Sequence, residues 1–444
     1  MNYFMNPIKS YKNFNFCTIF CENVKHFSSG KKLPTVNELT KQRSKLLGLS
    51  GHYEPTPSDR SHLLKYLPKF EDLPPRSIKD SFLEGLIPLS TDENLQEKYI
   101  TFLGRVRIGR LLEDMDIFAV HIGYKHIYTP TVPKDVSSPF ILVTAHVDRI
   151  GYTAYQRRHN EDIKISGFVS WVGKSSMEVV VKLEQFFEGS WHKITRALFL
   201  MVARNATGTG SVSINPLKAS NDMEKKIIEG GEERKLRRSQ ASTKHISQMV
   251  PSAEEQKLVH DLYKNIRKLR NNNKSAELSK NFVPMHKCKL SNTIFCQPED
   301  RNFYNTVFGG FIMRHATELT WILGFQFFRH RPAIKHISDI SFRKPIAVNA
   351  LMQMFAKVVY TKDDYAQIIV NVFASDPMEG KRDKTNTFHF TLKSSKTVDQ
   401  IYPMSYHEAM LYIDGMRHFN TSMNQNVDEV ADAMDEYMLK LSKS

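Results

Sequence analysis

The sequence predicts an α+β protein in which one unit, a long helix followed by an antiparallel sheet, occurs twice in tandem. Two observations carry this. Apolar residues recur at helical spacing near residue 110 and again near residue 315. Each time they give way to runs rich in β-branched and aromatic residues with partial alternation. At 444 residues the chain can hold two or three domains with their own cores.

Taken in order, residues 1–45 open with MNYFMNPIKSYKNFNFCTIFCENVKHFSSGKK, in which Glu22 is the one acid. A basic, acid-poor start fits a mitochondrial presequence, although Lys and Asn stand where Arg is expected; a disordered tail is the alternative. Residues 46–84, with PTPSDRS and DLPPRS, read as a linker with short helices. Residues 85–215 form the first unit: Ile108, Leu111, Leu112, Met115, Ala119 and Ile122 mark one amphipathic helix. The runs SPFILVTAHVDRI, EDIKISGFVSWVG, SSMEVVVKLEQF and KITRALFLMVARN follow as strands. Residues 216–285 read as a basic linker. In it GGEERKLRRSQASTKHISQ is a solvated loop, and a charged helix opens at Ser252 with Glu255 three residues on. Residues 286–405 repeat the order, with the helix in YNTVFGGFIMRHATELTWILGF and then AIKHISDISFRKPI, ALMQMFAKVVYT, YAQIIVNVFAS and NTFHFTLKSS. Local matching sets AHVDRI against ISDISF and Glu318 against Asp116. In residues 406–444, Ala409, Met410, Ile413 and Met416 share a face that should dock on the body, and the last twenty or so residues read as exposed.

Composition excludes several classes. No apolar run approaches the roughly 18–20 residues a transmembrane helix needs. The net charge of +15 comes without a basic-aromatic motif of the RNA-binding type, so no nucleic-acid partner is expected. The four cysteines lack zinc-type spacing and point to a reducing compartment. There is no HxxxH spacing and no GxSxG elbow, so neither a catalytic metal nor a serine nucleophile is expected. Trp171, Trp191 and Trp321 read as core or groove lining.

The segments RIGRLLEDMD, SGFVSWVGKSSMEVVV, VFGGFIMR, SDISFRKPIAVNALM, TFHFT and EAMLYIDGMRHFN, in this order, carry a resemblance. The chain resembles the two-hot-dog acyl-coenzyme A thioesterases over about residues 85–420. The resemblance implies a tandem hot-dog fold, each copy a central helix wrapped by an antiparallel sheet. It also implies hydrolysis of fatty acyl-CoA, with coenzyme A as part of the substrate and no separate cofactor. It implies a homo-oligomer as well, with trimers favoured, in the mitochondrial matrix.

Thioester hydrolysis needs a stabilised oxyanion and a water aimed at a general base. A helix N-terminus offers free N–H groups, and glycine lets a carbonyl approach them. Gly309 and Gly310 open the second helix, so they are the oxyanion-hole candidates. Asn305 precedes them and matches a catalytic Asn of the family; read from the residues alone it is equally a turn former. The first copy keeps neither the Asn nor the glycine pair but keeps Asp116 beside its apolar stripe. Burial there would raise the pKa of Asp116 and suit a base. The expected site therefore pairs Asn305 with Asp116. Glu318 would face the degenerate loop as a buried acid bonded to backbone, and Glu113 and Asp114 should lie further from the stripe. By the same resemblance Thr144, Lys174, Ser175 and Ser176 are coenzyme A contacts, or ordinary strand-end residues, and Arg343 with Lys344 are phosphate contacts on charge. The competing readings are a hot-dog hydratase, for which His315 lies too far into the helix, and a non-catalytic acyl-CoA-binding protein.

Overall fold

A computed structural model describes residues 33–36, 38–39, 59–130, 132–133, 136–152, 158–242, 250–271, 282–302, 306–338, 340–424 and 429–443. In the first copy a short helix α1 (Glu93–Tyr99) precedes the long helix α2 (Ile108–His126). The strands are β1 (Leu83–Ile87), β2 (Phe140–Val147), β3 (Ile150–Tyr152), β4 (Ile163–Val172), β5 (Ser176–Phe187) and β6 (Ser190–Asn205). Helices α3 (Asp222–Ser242) and α4 (Ala253–Asn271) lead through β7 (Phe282–Pro284) to the second copy. That copy has β8 (Lys289–Phe295), α5 (Gly309–Phe328), β9 (Ala333–Ile337), β10 (Ile340–Ser341), β11 (Leu351–Lys362), β12 (Tyr365–Ser375) and β13 (Arg382–Lys393). The chain closes with β14 (Gln400–Tyr402), α6 (Tyr406–Asn424) and α7 (Glu429–Lys443).

The strand order is β1-β4-β5-β6 followed by β2 and β3 in one copy, and β8-β11-β12-β13 followed by β9 in the other. Strands β2 and β6, and β9 and β13, pair antiparallel in the same way. The copies join edge to edge. Ile150 pairs Ile337 between β3 and β9, and Ile340 pairs Val147 between β10 and β2. These reciprocal pairs make one continuous sheet of two hot dogs, with both inner edges used and no free edge at the seam. They also correct the local matching. His146 to Ile150 correspond to His336 to Ile340, so AHVDRI is shifted by two residues from its expected partner.

Each sheet wraps its helix because the helix stripe is apolar. Leu111, Leu112, Met115, Phe118, Ala119 and Ile122 of α2 are fully buried, each large one contributing about 1.5–3 kcal/mol. The predicted helices and main strand runs are therefore present. The strands that precede each helix, β1 and β8, are absent from the sequence reading: one is short and holds Gly85, the other is polar and exposed.

The linker reading needs correction. Residues 243–248 of the expected solvated loop lie outside the described residues, and residues 230–242 belong instead to helix α3, which packs on β4 and buries Ile227 and Arg234. It is the first copy's counterpart of α6: Glu224 accepts the Ser220 N–H as Glu408 accepts the Met404 N–H. The charged helix α4 does open with a capping box between Ser252 and Glu255. The tail is also not exposed. Met434, Tyr437, Met438 and Leu441 of α7 join Ile78, Phe168, Val180 and Ile227 in a second core on the outer face of the first sheet. At the other end, Val36 and Leu39 are buried and Thr35 bridges Leu86, so residues 33–36 and 38–39 pack on the body. Most of the expected presequence lies outside the described residues.

Candidate active site

Helices α2 and α5 cross at their N-terminal turns. A Cβ on Gly109 would stand 3.1 Å from Arg314 Cγ and carbonyl O, and one on Gly310 would stand 2.9 Å from Glu113 Cα. The reciprocity makes Gly109 the counterpart of Gly310, and Glu113 that of Arg314. Ile100–Val106 and Arg301–Val307 bridges repeat the same offset. The counterpart of Asp116 is therefore Thr317, whose hydroxyl donates to the Met313 carbonyl, and Glu318 corresponds to Ile117. The expected equivalence of Glu318 with Asp116 is off by one residue.

Asp116 is 2% exposed and lies under the α5 N-terminus. Its Oδ2 accepts the Gly310 N–H at 2.7 Å, and its Oδ1 accepts the Thr144 hydroxyl at 2.6 Å. The Phe342 N–H donates to the Ala145 carbonyl at 3.0 Å, which fixes the end of β10 beside Thr144. The Phe342 ring then stands 3.1 Å from where a Gly309 Cβ would be, with Asp116 Oδ2 at 3.3 Å. Four segments, two from each copy, thus converge on one carboxylate.

The two glycines divide their roles. The Gly310 amide is directed to Asp116, and its missing side chain admits the α2 backbone. Gly309 is half-buried and borders the carboxylate, and its own amide has no partner among the described residues. Asn305 lies outside the described residues. Its flanks are fixed: the Asn302 N–H donates to the Thr306 carbonyl at 2.7 Å, and the Val307 N–H to the Ile346 carbonyl at 2.8 Å. At the corresponding place in the first copy stands Gly104, at φ 68°, so that loop has no amide side chain to offer.

The remaining candidates spread out. Thr144 contacts the acid itself rather than standing only along a groove. Lys174, Ser175 and Ser176 sit at the β4–β5 turn, with Lys174 exposed. Val202 of β6 pairs both Val143 and Ser176, which sets Ser176 two strand spacings, about 10 Å, from the Thr144 end of β2. Arg343 is exposed and directly follows Phe342, and it helps burial hold the Lys384 ammonium below its ordinary pKa. Lys344 pairs with Asp383 at 2.9 Å. Glu318 is half-buried and pairs with Arg107 rather than with backbone. His315 meets Phe311 edge to face at 4.4 Å between ring centroids, and burial, then Arg314, push its pKa down to about 4.

Sequence reasoning misplaced one acid. Asp114 is buried, not further out than the stripe, and accepts the Tyr99 hydroxyl; burial raises its pKa to about 7. Asp300, which precedes the Asn305 loop, is also raised, to about 6, by burial and then by Glu299. The pattern of α2 could not show that α1 would lay Tyr99 over Asp114.

Comparison with known proteins follows this geometry. The chain is 38% identical over 365 residues to mitochondrial acyl-coenzyme A thioesterase 9 of Homo sapiens, covering 82% of each. It is 37% identical over 368 residues to mitochondrial acyl-coenzyme A thioesterase 10 of Mus musculus, covering 82% of this chain and 83% of that one. Among solved structures, an acyl-CoA hydrolase of Staphylococcus aureus with butyryl coenzyme A is 20% identical at a TM-score of 0.31, covering 36% of this chain and 99% of that one. No protein-family model matches the chain.

Proposed function

The chain belongs to the acyl-coenzyme A thioesterases and is a thioester hydrolase, and on that premise we propose that Asp116 and Asn305 form its hydrolytic site, one group from each copy. The observation that carries the reading is the carboxylate of the first copy seated against the α5 N-terminus of the second. Thr144 and Gly310 hold both of its oxygens, which fixes the direction in which it can take a proton. A water between Asp116 and the substrate carbonyl gives up its proton to the carboxylate as its oxygen attacks the thioester carbon. The oxyanion lies toward the Gly309 amide and the Asn305 side-chain amide, where donors are already oriented. Collapse breaks the C–S bond, and the proton returns from Asp116 to the coenzyme A sulfur. Coenzyme A enters only as part of the substrate, and no separate cofactor takes part.

Fatty acyl-CoA is the substrate class in this reading. Arg343, beside Phe342 and Lys384, and the Lys174 to Ser176 turn supply cations and hydroxyls for the nucleotide end. A hydratase would need an imidazole able to exchange protons at the helix mouth, whereas His315 is held neutral five residues inside. The protein works in mitochondria, as its relatives' names say of them, and in the matrix. Because Val36 and Leu39 are buried, presequence removal falls before Leu33. Exposed Ile322 and Phe325 of α5, with exposed Phe102 set against Trp321 beside them, suit a homo-oligomer, trimers by family likeness. Thiol release from a panel of acyl-CoA esters tests the reading. Turnover by the parent that survives in both Asn305→Ala and Asp116→Asn would overturn the pairing.

A further inference from the structure

We propose that His389, Asp414 and His418 form a site for one divalent transition-metal ion, zinc foremost, that ties α6 to the second sheet. Asp414 and His418 are one helical turn apart on α6. His389 is on β13, where Phe388, Phe390 and Leu392 are fully buried and Leu392 lies against Gly324 of α5. Alternation puts His389 on the opposite face, toward α6. The three ligand atoms lie within 4.8 Å of one another. The His389 Nε2 is 3.7 Å from Asp414 Oδ2, and the His418 Nε2 is 3.7 Å from Oδ1. Those separations are too long for hydrogen bonds and close to the spread of ligands around one ion with bonds of about 2.0–2.2 Å. Each imidazole faces a different carboxylate oxygen, so the carboxylate can turn to a shared ion without losing a bond to either ring.

The donor set selects the ion class. Two imidazoles and one carboxylate suit zinc, whereas magnesium and calcium want oxygen throughout. The rings now stack at 3.5 Å with planes 16° apart. Binding needs one of them to turn, and His418, with a third of its side chain exposed, has the room. Lys384 and Arg417 are cations that also act on Asp414, and the Arg417 guanidinium is held by both oxygens of Glu255 at 2.7 Å. The motif escapes a search for HxxxH because its helical half is Asp414 and His418.

The test uses the full chain purified with a chelator. Cobalt titration followed by visible absorption, zinc content by mass spectrometry and a thermal melt should give one ion per chain and a higher melting temperature with zinc. His418→Ala and His418→Gln should each abolish both responses while leaving the chelator-treated melt and the thioesterase turnover unchanged. No saturable binding to the parent would overturn the site, and so would binding of one ion by both variants. Neither result bears on the Asp116 reading, since turnover is measured separately.

Discussion

At the scale of single residues, the chemistry depends on which of three acids on or near α2 acts. Asp116 has its oxygens bonded by Thr144 and Gly310, while Asp114 is closed off by Tyr99 and Glu113 is engaged by Arg110 and Arg314. Asp116→Asn should therefore cut kcat by about 10²–10⁴-fold with an unchanged melt. Glu318→Gln, which breaks only a half-exposed pair with Arg107, should stay within severalfold; an equal loss in both would remove the single-site reading. Asp114 makes a separate prediction about stability. Its folded pKa of about 7 lies above its unfolded value, so the native state holds its proton where the unfolded chain has lost it. That contribution is fully present below about pH 4 and is lost as the pH rises to about 7. Asp114→Asn keeps an acceptor for Tyr99 without a charge to bury. Its stability relative to the parent should rise between pH 4 and pH 8, by an amount on the order of 1–3 kcal/mol in urea titrations. A gap that did not change with pH would show that Asp114 is not the buried acid. Sequence pointed to Asp116 because it borders the apolar stripe of α2, and to Gly309 and Gly310 because they open α5; in the fold Asp116 does meet the Gly310 amide. Thr144 as a partner of Asp116 was not, since that hydrogen bond depends on how β2 lies across α2. Asp114 was misjudged because helical spacing shows the stripe but not what covers the flank.

At the scale of elements, the helices outside the hot dogs are part of the repeat. Helix α3 covers the first sheet as α6 covers the second, and the composition of α3 hid this. Its charged residues are not all solvated: Arg234 and Arg238 reach Glu178 of β5, which is fully buried and also accepts the Ser170 hydroxyl. A sequence window cannot distinguish an arginine in water from one that neutralises a carboxylate on a neighbouring strand. Removing Glu178 leaves two desolvated guanidinium groups. Glu178→Ala should cost about 3–5 kcal/mol in urea denaturation, whereas Glu436→Ala, which breaks an exposed pair with Lys440, should be neutral. A Glu178 variant as stable as the parent would mean that α3 contributes little to holding the first copy. The strands β4, β5, β6, β11, β12 and β13 were legible because both faces bear β-branched or aromatic residues. The strands β1 and β8 were not: β1 is five residues long and holds Gly85, and β8 is an exposed edge strand with little hydrophobic pattern.

At the scale of the whole molecule, the two copies are interdependent in three ways. Their sheets share the β2–β10 and β3–β9 pairings, their helices meet at Gly109 and Gly310, and α7 returns from the second copy to cover the first. The sequence showed the duplication but not this return, because α7 carries no match to either copy. The candidate site divides along the same line, with Asp116 and Thr144 from one copy and the α5 N-terminus from the other. Residues 80–215 expressed alone should thus be inactive and prone to aggregate, since they lose α3, α7 and the partner helix together. Residues 286–425 alone should also be inactive, having no carboxylate where Thr317 replaces Asp116. Co-expression of residues 33–271 with residues 282–444 keeps every one of these contacts and cuts the chain between α4 and β7. That pair should co-purify and recover thiol release. Introducing Asp116→Asn into the first piece should abolish the recovered activity, and introducing Glu318→Gln into the second should not. Full activity from residues 286–425 without a partner would place the base within the second copy and overturn the shared site.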